Sequence, residues 1–385
     1  MHDLPDEPLF VNTESGLAEL CDKLRGQPVL ALDTEFLREK TYYAQLCLLQ
    51  VAAEGVIACV DPLALNLDPL LDIIYDPSVV KVMHSARQDM EIFFDLRGDV
   101  PRPLFDSQIA ATLMGFGEQV GYANLVQQMM GVTLDKMATR TDWSKRPLDE
   151  EQVIYAADDV RYLFAIYHQQ VELLGSKGRL DWLQDDFDEM SDRTTYAPHP
   201  ENLWKRVKGA QKLSSPQLAV LRGLAIWREE RAQASNRPRR WIFKDEVMVD
   251  LARRSPANLA DLAKIRGIEE RTLDRNGDAL LKVIAEAKTT DPEGWPTKTK
   301  SQRLNSEQDA VVDLLMAVLR LRGDEHDVSP ALLASRKQLE TLVMGDEQSP
   351  VLHGWRAGLA GNDLQAVLSG EKTVRVVEGK LVVGS

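Results

Sequence analysis

Four short apolar runs between residues 29 and 85 restrict the fold of this chain more than any other feature. "VLALDTEF" (29–36), "AQLCLLQVAA" (44–53), "GVIACV" (55–60) and "VVKVMHS" (79–85) are almost continuously apolar. Strands covered on both faces read this way, whereas strands with one wet face alternate. Asp61-Pro62 closes the third run, and "LDPLLDIIYD" (67–76) has helical spacing before the fourth. Successive strands followed by a helix and a further strand predict a mixed sheet covered by helices. Beyond residue 105 and up to about 195 the pattern is helical, broken at "GFGEQVGY", "GVTLD" and "WSKRPLD". One of these helices has a legible start. Asp149 stands as its N-cap, Gln152 follows at capping-box distance, and "VIYAADDVRYLFAIYHQQVELL" runs on without Gly or Pro.

A looser stretch, "DRTTYAPHPENLWKRVKGAQKL", marks a boundary near residue 200. Two helical blocks follow, about 211–290 and 302–370, joined by the linker "TTDPEGWPTKTKSQ". In the tail, "TVRVVEGKLVV" alternates on either side of Glu378-Gly379 and reads as a small hairpin.

With 385 residues, 44% of them hydrophobic, the chain is long enough for two or three packed domains and has no signature of disorder or a fibre. Its opening, "MHDLPDEPLF", has neither the basic lead nor the apolar core of a signal peptide, and no apolar run approaches the ~20 residues of a membrane span. A cytoplasmic protein without membrane contact is expected. Cys21, Cys47 and Cys59 form no close pair and have no metal-type spacing, so they are expected as small buried hydrophobes. The formal net charge of −14 counts against nucleic acid as a partner, yet it hides a local exception. "WREERAQASNRPRRWIFK" interleaves Arg228, Arg231, Arg237, Arg239, Arg240 and Lys244 with Trp227, Trp241 and Phe243. Such a mixture suits phosphate contact and base stacking, and equally a solvated charged face over a packed core.

The first apolar run ends on two acids. Residues i and i+2 of a strand share a face, so Asp33 and Glu35 point together with Thr34 opposite. Adjacent carboxylates repel, and something positive should lie between them: an Arg or Lys partner, or a bound divalent cation. Further along, Asp89 falls in the first turns of the amphipathic helix in "HSARQDMEIFF". In "YAADDV", Tyr155 and Asp159 are one helical turn apart and share a face, with Asp158 beside them. Acids from separate elements meeting at one sheet end would offer the oxygen-only ligation that suits magnesium or manganese.

"ALDTEF", "HSARQD" and "YAADDVRYL" occur in order, with "TYYAQLCLLQ", "FDSQIAATLMG", "GVTLDK" and "RTDWSKRPL" among them. Together they resemble the ribonuclease D family, in the tyrosine-type branch of the exonucleases named for the acids Asp-Glu-Asp-Asp. The helical blocks resemble that family's paired helicase-and-RNase-D C-terminal (HRDC) modules, through "LSSPQLAVLRGLAIWREERAQ" and "LADLAKIRGI" in the first and "SPALLASRKQLETLV" and "GWRAGL" in the second. The resemblance implies an α/β ribonuclease-H-like exonuclease domain with a mixed sheet (1–200), then two all-α helical-bundle HRDC domains (211–290 and 302–370) and a tail (371–385).

It further implies metal binding by Asp33, Glu35, Asp89 and Asp159, with Tyr155 orienting the attacking water; the family's spacing of Tyr, three residues and Asp selects Asp159 over Asp158. The implied cofactors are two divalent ions, Mg2+ or Mn2+. The implied activity is a 3′-to-5′ exoribonuclease, trimming 3′ extensions of precursor tRNA and other small stable RNAs and releasing nucleoside 5′-monophosphates. A monomer is expected. Candidate RNA contacts are Phe36 with Tyr42 or Tyr43 at the terminal bases, Gln50 at the terminal sugar, and His84 at the head of the second motif. Arg140, with Trp143 and Lys145, is expected at the entrance, and Arg239 and Arg240 in the basic stretch. Ordinary packing would also account for each of these. The same acids would serve a DNA exonuclease, and a binding scaffold without activity is the alternative of another class.

Overall fold

The structure, a computed structural model, describes residues 4–117, 119–134, 141–297 and 303–384. It comprises two compact units. One takes in Met1–Glu35, Leu46–Thr195 and Gln302–Ser385, the other Phe36–Gln45 and Tyr196–Ser301.

The first unit is built on strands β1 (Leu9–Val11), β2 (Val29–Leu37), β3 (Gln45–Ala53), β4 (Val56–Val60), β5 (Val80–Met83) and β6 (Leu104–Asp106). Its helices are α1 (Glu14–Leu24), α2 (Asp68–Ile74), α3 (Arg87–Arg97), α4 (Ser107–Thr112), α5 (Tyr122–Met130) and α6 (Glu150–Ser176). The sheet order is β1-β4-β3-β2-β5-β6. β1/β4, β2/β5 and β5/β6 are parallel and β3/β4 is antiparallel, so the sheet is mixed as the apolar runs predict. Every residue of β4 and of Leu46–Ala53 in β3 is buried. α1 and α6 pack against β4, and α6 also packs against β5, which explains why β4 carries no wet face.

Local chemistry fixes the helices. Thr13 caps α1, its Oγ1 accepting from the Gly16 N–H at 3.2 Å. α6 starts on the predicted capping box of Asp149 and Gln152 and runs 27 residues. Asp106, fully buried, caps α4 by accepting from the N–H groups of Gln108 (2.8 Å) and Ile109 (3.3 Å), and also takes those of Ser85 (3.2 Å) and Ala86 (2.8 Å). One carboxylate thereby joins the end of β6 to the turn that launches α3. Cys21, Cys47 and Cys59 are buried free thiols.

The last block also belongs to this unit: helices Ser306–His326, Pro330–Leu333 and Arg336–Val343, then Gly354–Arg356 running through a π turn into Asn362–Ser369. A Cβ at Gly361 would lie 2.0 Å from the Val351 carbonyl oxygen, so only glycine allows that approach. The tail forms the predicted hairpin, strands Thr373–Val377 and Lys380–Gly384, turning on Glu378 (φ +50°) and Gly379 (φ +77°).

The second unit is helical, with helices Ser215–Ala234, Asp245–Arg254 and Glu270–Thr289 around a core that includes Leu218, Leu221, Leu224, Met248, Leu251, Leu280 and Ile284. Trp227 and Phe243 of the basic stretch are buried in that core with their rings 5.7 Å apart, whereas Trp241 is 60% exposed. No helix among the described residues is long and apolar enough to cross a membrane.

Candidate active site

β2 begins as a buried apolar strand and then runs into partly open surroundings at its acids. Oxygen atoms of Asp33, Glu35 and Asp159 all lie within 4.8 Å of one another. The alternative of a neutralising Arg or Lys can be tested directly. Among the described residues no basic side chain pairs with any of the three, although Arg and Lys pair with acids throughout the rest of the molecule. The electrostatics record this. Burial, then the charges of Asp159, Asp89 and Glu35, push the Asp33 carboxyl well above the ordinary range. Burial with Asp159 and Asp89 pushes Glu35 up to about 8, and burial with Asp158 pushes Asp159 up to about 7. Hard oxygen donors gathered without a counter-charge are a donor set that fits divalent cations.

Neighbouring acids on α6 are separated by their partners. Asp158 is held by Arg161, Nε to Oδ1 at 3.0 Å, while Asp159 faces Asp33 and Glu35. Asp89 lies outside the close trio. Its Oδ1 accepts from the hydroxyl of Thr34, and burial raises its carboxyl to about 6. It is near enough for its charge to raise both Asp33 and Glu35. Tyr155 is half-buried beside the acids; burial and then the charges of Asp159, Glu35 and Asp33 push its phenol up to about 12. Trp143, buried, stacks on it at 6.4 Å and 28°.

Several supports carry no obvious mark in the sequence. Thr34 sits between the two acids, a buried polar residue in an apolar run, and that oddity is the signal which could have found it. Asp106 organises the turn before α3. Tyr122 donates its hydroxyl to the backbone carbonyls of Asp158 (3.0 Å) and Asp159 (2.5 Å), bracing α6 where its acids project. Arg146 grips Asp61 with Nε at 2.6 Å and a second nitrogen at 2.7 Å, and reaches the carbonyls of Cys47 (2.6 Å) and Trp143 (2.8 Å). The loop that carries Trp143 is pinned to the end of β4 by this forked contact.

The expected RNA contacts fare differently. Gln50 is fully buried in β3 opposite Cys59, with neither amide atom hydrogen-bonded among the described residues, so it is not presented to a terminal sugar. His84 has both ring nitrogens committed, Nδ1 with Ser107 Oγ at 2.9 Å and Nε2 with the Val120 carbonyl at 3.1 Å, and burial holds its pKa low. It is an interior histidine, with no nitrogen left for substrate. Tyr42 belongs to the second unit, where its hydroxyl donates to Glu229 at 2.5 Å and accepts from Arg239 at 3.0 Å and Gln233 at 3.2 Å. Arg239, 40% exposed, is in turn paired with the buried Glu229, so Tyr42 and Arg239 are tied to one another within this unit. Lys145 is exposed near Asp142. Phe36 is half-buried directly after Glu35, and Arg240 is exposed. Arg140 lies outside the described residues.

Comparison with known proteins bears on this constellation. Residues 8–174, which carry all five motif residues, match the family model for a 3′-5′ exonuclease, and residues 217–284 match that for an HRDC domain. A ribonuclease D of Gluconacetobacter diazotrophicus is 40% identical over 374 residues, spanning 96% of this chain and 95% of its own length. Another, of Sphingobium indicum, is 40% identical over 380 residues and 97% of each chain. The crystal structure of Escherichia coli RNase D, described as an exoribonuclease involved in structured RNA processing, matches with a TM-score of 0.81 at 32% identity, over 94% of this chain and 99% of that one. A 3′-5′ exonuclease domain with its acids gathered at one sheet end, carried by a chain so similar to these relatives over nearly its whole length, leaves one assignment: the chain belongs to the ribonuclease D family and is an exoribonuclease.

Proposed function

We propose that this exoribonuclease trims 3′ extensions from structured RNAs such as precursor tRNA, one nucleoside 5′-monophosphate at a time, using two divalent ions held by Asp33, Glu35, Asp89 and Asp159. The observation that carries the reading is the trio Asp33, Glu35 and Asp159 with no basic partner among the described residues. Bound Mg2+ or Mn2+ would supply charge balance at the scissile phosphate and a hydroxide at neutral pH.

The chain's own residues set the geometry around that chemistry. Tyr155 would orient the attacking water as a hydrogen-bond donor, since a phenol with an ordinary pKa of about 10 holds its proton at neutral pH. Trp143 fixes the plane of that ring, and Thr34 fixes the Asp89 carboxylate. Phe36 remains a candidate for packing against the terminal base. The block 302–370 is read as a second HRDC module on a shared plan: each block opens with a capping box, Ser214 with Gln217 and Asn305 with Gln308, followed by a helix of 20 or 21 residues.

The test is digestion of a 3′-extended tRNA, reading product lengths and released nucleotides. Stepwise shortening to the mature end with 5′-monophosphates is expected, abolished by chelator. Mg2+ should also raise the melting temperature of the wild type but not that of Asp33→Asn. Endonucleolytic products, or full activity in chelator, would refute the proposal.

A further inference from the structure

Within the second unit lies a cavity of about 270 Å³ lined by Arg231, Arg237 and Arg275, with Trp227, Ile242 and Asn276 among its walls. The three arginines converge from separate places: the last turn of helix Ser215–Ala234, the loop that follows it, and helix Glu270–Thr289. None is paired with a carboxylate among the described residues. In a chain with 60 Asp and Glu against 46 Lys and Arg, that is the less expected outcome. Other arginines of the unit do find acids: Arg228 meets Asp245 at 2.7 Å, Arg253 meets Asp250 at 3.1 Å, and Arg239 meets Glu229.

Three unneutralised guanidinium groups around one cavity sum to a positive potential that an anion would relieve. The site is also partly prearranged. The Arg231 guanidinium lies over the Trp227 ring at 5.7 Å, which restrains it at the wall. Planar forks of N–H donors match the paired oxygens of a phosphate ester, and the Asn276 amide adds a neutral donor. Ile242 and Trp227 add apolar lining against which a sugar can rest.

We propose that this cavity binds one backbone phosphate of the RNA strand and its attached sugar. The identity of the strand rests on the exoribonuclease reading; the shared chemistry is a nucleotide phosphate, which a free nucleotide also offers. The contact uses arginines distinct from Arg239, which is consumed inside the unit.

The experiment measures binding of a 3′-extended tRNA to the full-length chain in chelator, across a salt series, so that it reads no turnover and fails independently of the trimming assay. Replacing Arg231, Arg237 and Arg275 together by Gln should weaken binding roughly tenfold or more and make the dependence of log affinity on log salt shallower by about one. The corresponding triple Lys variant should keep the salt slope, because the charge remains, while losing part of the affinity with the forked geometry. Should the triple Gln variant not fold, Arg275→Gln, on an exposed side chain, carries the same test with a smaller expected loss. Unchanged RNA affinity and salt slope would overturn the proposal. So would an effect confined to AMP, titrated in parallel, which would assign the cavity to free nucleotides.

Discussion

Asp158 and Asp159 are adjacent on one helix, yet their surroundings give them opposite roles. Arg161 pairs with Asp158, and among the described residues no basic side chain pairs with Asp159 beside Asp33 and Glu35. Asp159→Asn should therefore reduce hydrolysis of an RNA oligonucleotide by ~100- to 1000-fold, the usual cost of losing a charge-stabilising group. Asp158→Asn should leave the initial rate close to wild type and change stability by at most about 1 kcal/mol, since only a partly exposed ion pair is lost. Equal losses in the two variants would show that the division of labour is misread. Tyr155 makes a separate residue-level prediction. If it donates and positions without accepting a proton, Tyr155→Phe lowers kcat by about 100-fold with RNA affinity intact. The pH-rate profile of Tyr155→Phe should keep the wild-type shape across the neutral range. A limb of the profile that vanishes in Tyr155→Phe would make the tyrosine a base after all.

At the scale of elements, β5 holds a group that no chemistry of the site uses. Lys81 is fully buried, and its ammonium donates to the carbonyls of Asp76 (2.8 Å), Val79 (2.5 Å) and Arg102. Burial lowers its pKa from 10.5 to about 8. In that window the unfolded chain holds more proton on this lysine than the folded one, so its contribution makes stability rise with pH from about 8 to about 10.5. Lys81→Met abolishes that term and strands three carbonyls, costing about 1–3 kcal/mol at neutral pH. The deficit against wild type should widen between about pH 7 and about pH 9.5 in denaturant melts; a deficit that stays constant would contradict the assignment. Lys81 also illustrates what was legible in the sequence. The apolar runs disclosed β2, β3, β4 and β5 because burial on both faces writes a continuous signal, and the lysine inside "VVKVMHS" did not hide the strand. β1 and β6, three residues each, are too short to show any period. Local spacing exposed the pairs Asp33 with Glu35 and Tyr155 with Asp159, which are one strand repeat and one helical turn apart. That the pairs meet was carried by the family resemblance, because convergence depends on sheet order. The RNA contacts were the least legible. Whether Arg239 or Tyr42 faces solvent turns on a glutamate 10 residues from the arginine and 187 from the tyrosine, which no local pattern records.

Across the whole first unit, the chain returns its last block to the nuclease domain, and the junction is built from stacked planes. Trp182 and Trp355 lie 4.8 Å apart and 5° from parallel. Arg179 lies over the Trp182 ring at 5.4 Å and Arg356 over the Trp355 ring at 4.4 Å. The arginines are anchored in turn: Arg179 donates to the carbonyls of Leu113 (3.2 Å), Asp327 (3.1 Å) and His326, and Arg356 donates to the Leu332 carbonyl (2.8 Å) and Asp186 (3.2 Å). Because each ring is only half-buried, the contact owes more to stacking and fixed cations than to area removed from water. A double-mutant cycle on Trp182→Ala and Trp355→Ala should then give a coupling of about 1 kcal/mol, the double variant losing about that much less than the sum of the two singles. Trp355→Phe should cost less than Trp355→Ala, since the Trp355 Nε1 is buried without a hydrogen-bond partner among the described residues and its removal forfeits none. The readout is chemical denaturation together with limited proteolysis across residues 344–353, which should accelerate in either alanine variant. Strictly additive effects with unchanged proteolysis would mean that the last block is held elsewhere, and that the stacked tryptophans only record its position.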